Sequence, residues 1–158
     1  MVEAIAAYEV IEAGRKDFDD VARQVIKLLL ELEPEASQEI EAMDLPEITR
    51  QLLGDGKIYA FLAKTNNQAI GVLTLHECAA LYAGGVFGEI SELYVDPVHR
   101  SQNVGKLLIE AALVKARQQG WMRLEVGAPP VDGWCRTLEF YESNEFKATG
   151  TRLRRLMM

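Results

Sequence analysis

The tightest constraint on this chain lies between Glu89 and Ala112, in the stretch EISELYVDPVHRSQNVGKLLIEAA. Ile90, Leu93, Tyr94 and Val95 are the large apolar, aromatic and β-branched residues that fit a pleated, half-buried strand. Asp96-Pro97 ends that strand, because proline cannot donate to a sheet ladder and favours a turn. Val104, Leu107, Leu108, Ala111 and Ala112 then recur at the spacing that lines one face of a helix. Between the two lies a polar loop, Arg100-Ser101-Gln102-Asn103-Val104-Gly105-Lys106, at the point where the helix begins. The first N–H groups of a helix lack internal partners, and the helix dipole favours negative charge beside them. Small and polar residues there let backbone donors approach a phosphate, and Arg100 adds a planar cationic fork.

Two familiar phosphate loops do not fit. A Walker loop requires Gly-x-x-x-x-Gly-Lys-Ser/Thr, but Arg100 stands at its first position and Leu107 follows Lys106. The dinucleotide fingerprint Gly-x-Gly-x-x-Gly is also absent from this stretch. An ordinary helix N-terminus without a ligand is the competing reading of residues 100–106.

The flanking sequence fills in the rest. Residues 4–12 read as a first strand, broken by Gly14. Asp17 offers an N-cap to a helix carrying Phe18, Val21, Val25, Leu28, Leu29 and Leu32, which Glu33-Pro34 ends. Residues 35–43 are acidic and ambiguous. Asp44-Leu45-Pro46 starts another helix, closed by Gly54-Asp55-Gly56. KIYAFLAKT and QAIGVLTLHECAAL read as strands joined by an Asn66-Asn67 hairpin turn. After the organising strand and helix, Gly120 supplies a helix stop. MRLEVGA then reads as a short buried strand, and a strand–helix–strand crossover implies a parallel pair. Residues 132–143 read as a last helix, and FKATGTRLRRLMM as one or two terminal strands. The expectation is one α/β domain over residues 1–158, with a mixed central sheet and helices on both faces.

Composition narrows the function classes. The 158 residues are 49% hydrophobic, enough for a real core. Lys and Arg total 17 against 24 Asp and Glu, a net charge of −7 that argues against bulk nucleic-acid binding. The two cysteines, Cys78 and Cys135, match no metal or redox spacing, and the two histidines, His76 and His99, do not form a cluster, so no metal is expected. The start of the chain lacks the basic and long apolar segments of a signal peptide, and no run approaches membrane-spanning length. A cytoplasmic enzyme or binding module is expected.

The segment from the strand ending in Val95-Asp96-Pro97 to Gly105 resembles the acetyl-CoA-binding motif of the GNAT N-acetyltransferases, Arg/Gln-x-x-Gly-x-Gly/Ala. Arg100 matches the first position and Gly105 the last; Asn103 stands in place of the first glycine. Asparagine tolerates positive φ better than most residues, so the loop can keep its shape. The order of elements along the chain also matches the GNAT fold. The resemblance implies transfer of the acetyl group of acetyl-CoA directly to a primary amine, small molecule or peptide. It implies pyrophosphate on residues 100–106 and pantetheine paired with the main chain of Leu93, Tyr94 and Val95. A homodimer is compatible with such a domain; nucleic acid and membrane are not expected partners.

Phe140-Tyr141-Glu142-Ser143-Asn144-Glu145-Phe146 resembles the family segment Phe-Tyr-x-x-x-Gly-Phe, whose tyrosine faces the CoA sulfur and acts as general acid. Glu145 replaces the glycine, so Asn144 is expected to take the left-handed turn. The competing reading of Tyr141 is a core tyrosine. Candidates for the base are Glu92 and Glu125, either of which would lie in the cleft where GNAT strands splay apart; Glu89 is a weaker third. A carboxylate partly desolvated there accepts a proton more readily, whereas a solvent-facing or Arg-paired residue would not serve. Residues 32–56 and 78–88 are expected to shape the acceptor pocket. Glu35, Glu39, Glu41 and Asp44 suit either a cationic acceptor or a merely solvated face. A non-catalytic acyl-CoA sensor on the same fold is the alternative, one that keeps Arg100 and Gly105 but not the acid and base.

Overall fold

Two long strands form the spine of the molecule in the computed structural model, which describes residues 7–128 and 135–157. They are β3 (Gln68–Ala80) and β4 (Gly85–Val95), flanked by β1 (Glu9–Glu12), β2 (Tyr59–Thr65) and β5 (Leu124–Val126). The sheet order is β1-β2-β3-β4-β5, antiparallel from β1 to β4 and parallel between β4 and β5. The β2–β3 turn uses Asn66 and Asn67 at φ of 50° and 62°, the left-handed pair that matches the twist of a two-residue hairpin.

The apolar runs of β2 and β3 are continuous because both faces of the sheet are covered. Ala60, Leu62, Val72 and Tyr94 point to one face, where α1 (Phe18–Leu32) brings Val21 and Val25. Phe61, Ala63, Leu73, Leu75 and Ile90 point to the other, beneath α4 (Val104–Gln119) and α5 (Cys135–Ser143). Leu108, Ile109 and Ala112 of α4 are essentially inaccessible there. Asp17 precedes α1 without capping its amides; its carboxylate accepts the Gly14 N–H at 2.8 Å instead. Gly120, at φ 73°, closes α4.

Several elements differ from expectation. The acidic segment contains a short helix, α2 (Ser37–Ala42), ahead of α3 (Leu45–Gly54). The expected terminal strands do not form: residues 147–157 carry no strand pairing and are exposed throughout. A strand needs a ladder to extend and a face to bury. The neighbouring edge strand β5 has three residues, and the tail's basic side chains gain nothing from burial. Arg152 instead reaches Glu89 of β4 as an ion pair. The expected helix start at residues 132–134, with Pro129-Pro130 and Trp134, lies outside the described residues.

A bulge in β4 decides what faces where. Thr74 pairs with Glu92 and Leu75 with Ile90, leaving Ser91 as the extra residue. Ile90 and Leu93 consequently share the α4 face, while Tyr94 lies on the α1 face.

Candidate active site

The parallel pairing of β4 with β5 is short. It runs through Gly88–Leu124, Glu89–Glu125 and Ile90–Val126, and beyond Ile90 the strands part. Asp96 N–H bonds to Ile70 O on β3 at 2.8 Å. Main-chain groups alternate sides along a strand, so those of Leu93 and Val95 turn the other way, toward the open edge. That edge forms one wall of a cleft of about 890 Å³.

The second wall is the start of α4. Ser101 and Asn103 both adopt positive φ, 62° and 66°, folding the loop so that the helix begins at Val104. Asparagine thus holds the conformation expected of the missing glycine. Leu107 N–H makes the first helical bond to Asn103 O at 3.0 Å, which leaves the amides of Val104, Gly105 and Lys106 ahead of the ladder. Gly105 is required for a packing reason: a Cβ there would come within 2.9 Å of the Phe140 ring. His99 Nδ1 and the Tyr8 hydroxyl are 2.9 Å apart, and that hydroxyl donates to Gln102 Oε1 at 2.7 Å. Gln102 is therefore turned toward β1 and does not line the cleft.

Arg100 is held from three sides. Its Nε donates to Val95 O at 2.8 Å, and its two terminal nitrogens donate to the Glu31 carboxylate at 2.9 and 2.8 Å. Its guanidinium also lies 5.4 Å over the Tyr94 ring. The bond to Glu31 holds the guanidinium's proton more firmly still. An anion in the cleft must compete with Glu31 for this fork. Glu31 carried no signal in the sequence, because it meets Arg100 across 69 positions.

Tyr141 closes the third wall. It is buried on α5, edge-on to both Phe140 and Phe146, and desolvation pushes its phenol up to about 12. Asn144 does not take the left-handed turn expected of it; Glu145 does, at φ 70°, while the Asn144 amide donates to Phe140 O. The helix ends at Ser143, so the left-handed position falls two residues on, where the chain has glutamate.

The two candidate bases part company. Glu92 lines the cleft and accepts a hydrogen bond from the buried Thr74 hydroxyl. Glu125 lies opposite Glu89 in the parallel register, is ion-paired to Arg123 at 3.3 Å, and does not line the cleft. Leu93, Tyr94, Val95, Arg100, Ser101, Asn103, Val104, Gly105, Lys106 and Tyr141 all border the cleft with Glu92. Leu28, Glu31 and Leu32 at the end of α1 border it too, with Arg136 and Thr137 of α5.

The open edge of β4, the start of α4 and the buried tyrosine thus border one cleft. The chain belongs to the GNAT acetyltransferase family, whose model matches residues 23–143. It is 32% identical over 113 residues to the aminoalkylphosphonate N-acetyltransferase of Salmonella typhimurium, a match covering 71% of this chain and 68% of that protein. Among solved structures, a GCN5-related N-acetyltransferase from Ralstonia eutropha superposes with a TM-score of 0.80 at 18% identity, covering 95% of this chain and 99% of that one. An aminoglycoside N-acetyltransferase in complex with CoA gives 0.76 at 14% identity over 99% of each chain. These last two establish the fold.

Proposed function

We propose that the chain is an N-acetyltransferase that moves the acetyl group of acetyl-CoA directly to a primary amine. One observation carries this reading: the edge of β4 away from β3 at Leu93 and Val95, which pairs with no strand among the described residues, the start of α4 with Arg100, and buried Tyr141 border a single cleft. The pyrophosphate of the substrate takes the amides of residues 103–106 and displaces Glu31 from Arg100. The pantetheine arm pairs with the main chain of Leu93 and Val95, where an N–H polarises the thioester carbonyl.

Glu92, directly or through water, takes the proton of the attacking amine. The amine nitrogen bonds to the thioester carbon, the carbon–sulfur bond breaks, and its electron pair leaves with sulfur. Tyr141 meets that thiolate with its hydroxyl. A phenol near 12 holds its proton at neutral pH, so it acts first as a hydrogen-bond donor. Desolvation disfavours the thiolate and raises the thiol's own pKa, which narrows the gap for proton transfer. No acyl-enzyme is required. Glu125, held by Arg123 outside the cleft, is the weaker choice for the base.

The test is calorimetric titration with acetyl-CoA and CoA, followed by thiol release across a panel of amines that includes aminoalkylphosphonates, the acceptors in the relative's name. Binding that weakens in Arg100→Ala, with turnover lost in Glu92→Gln, is the expected outcome. Absence of acetyl-CoA binding by the intact protein overturns the proposal. Binding without turnover of any amine favours the sensor reading instead.

A further inference from the structure

A second cluster of reactive side chains lies on the α1 face of the sheet, around Glu89. His76 and Cys78 are two apart on β3 and project to the same side. Glu89 faces His76 across the β3–β4 ladder. Cys78 Sγ lies 3.7 Å from Glu89 Oε2, His76 Nε2 lies 4.0 Å from the same oxygen, and one ligand atom from each of the three residues lies within 4.8 Å of the other two. All three residues are half-buried.

The remaining atoms of each group are occupied in a way that leaves these three turned inward. His76 Nδ1 bonds to the Ser91 hydroxyl at 2.9 Å. If Nδ1 carries the proton, the Nε2 lone pair points at Glu89. The other Glu89 oxygen is taken by Arg152. Partners of this kind on the outer atoms are what orient metal ligands. A tetrahedral ion with bonds of ~2.3 Å to sulfur and ~2.0 Å to nitrogen or oxygen holds its ligand atoms roughly 3.3–3.5 Å apart. The two contacts to Glu89, at 3.7 and 4.0 Å, exceed that by about 0.2–0.7 Å, and the remaining spacing, no more than 4.8 Å, by at most about 1.5 Å, within reach of side-chain rotation.

We propose that His76, Cys78 and Glu89 form a binding site for a zinc-like divalent cation. Imidazole, thiolate and carboxylate together select a borderline-soft ion over magnesium or calcium. Binding displaces the thiol proton of Cys78, and the fourth position is open to water or to Glu125. Because Ser91 is both the β4 bulge and a border of the cleft, the ion ties the bulge to β3 through His76. The proposal stands independently of the acetyltransferase reading.

The test is titration of the full chain with Co2+, followed by absorption spectroscopy and competition with Zn2+. One equivalent should give a thiolate-to-cobalt charge-transfer band with tetrahedral d–d bands. Cys78→Ser should abolish the charge-transfer band, and His76→Ala or Glu89→Gln should weaken binding at least tenfold. Cys135→Ser should leave the band in place. A chain that shows no such band at saturating Co2+, or keeps it in Cys78→Ser, overturns the site. Should Cys78→Ser fail to fold, alkylation of Cys78 in the intact protein decides: Zn2+ must slow it at least tenfold, and an unchanged rate counts against the site.

Discussion

Burial governs the chemistry of Tyr141. Its phenol is raised from about 10 to about 12 by desolvation, so the unfolded chain ionises it before the folded one does. The stabilisation is complete below pH 10 and is lost as pH rises through 12, a contribution of about 3 kcal/mol. Tyr141→Phe should therefore flatten the fall in denaturant stability between those limits, as pairs of unfolding curves measured from pH 9 to 12 would reveal. The same variant should lower kcat by ~10²-fold or more while leaving the KM for acetyl-CoA little changed, the pattern of a group acting in the transition state. Glu145 offers a different test. Its φ of 70° suits glycine, so Glu145→Gly should stabilise the fold by about 1 kcal/mol in thermal or urea unfolding.

The start of α4 must both present its amides and pack against α5. A Cβ on residue 105 would press into the Phe140 ring next to Tyr141. Gly105→Ala is therefore expected to cost roughly 1–3 kcal/mol of stability and to raise the KM for acetyl-CoA, which unfolding and steady-state kinetics can separate. At the end of α1, Glu31 holds the Arg100 fork with both side chains more than a third exposed. A pair so placed is worth only about 0.2–1 kcal/mol. Removing the competitor by Glu31→Gln should tighten CoA binding by about two- to fivefold at low salt, with calorimetry as the measure; weaker binding would mean that Glu31 positions Arg100 instead. The polar loop of residues 100–106 was legible from its composition and from the helical pattern behind it. Glu31 was not, since its partner comes from a distant segment.

Across the whole molecule, a ligand in the cleft would bridge the edge of β4 and the start of α4. Acetyl-CoA at 100 times its Kd should stabilise the chain by ~2.7 kcal/mol, roughly 6–10 °C in Tm for a domain of this size. Thermal melts with and without the ligand test this, and the shift should shrink in Arg100→Ala. Element types followed from local rules, because turn residues and apolar spacing act within a few positions. The Asn66-Asn67 hairpin, the Asp96-Pro97 stop and the α4 face all came from such short-range physics. Strand facing in β4 did not, because an unpaired Ser91 reverses the alternation that would otherwise separate Glu89 from Tyr94. The terminal strands failed for the same kind of reason: a strand needs a ladder to join, and β5 offers three residues. The amino-acid sequence alone thus determined the class of fold and the polar loop that opens α4, both encoded in neighbouring residues. Only the tertiary structure decided that Glu92 borders the cleft while Glu125 does not, that Glu31 occupies Arg100, and that His76 and Cys78 meet Glu89, because each depends on strand register and packing between distant segments.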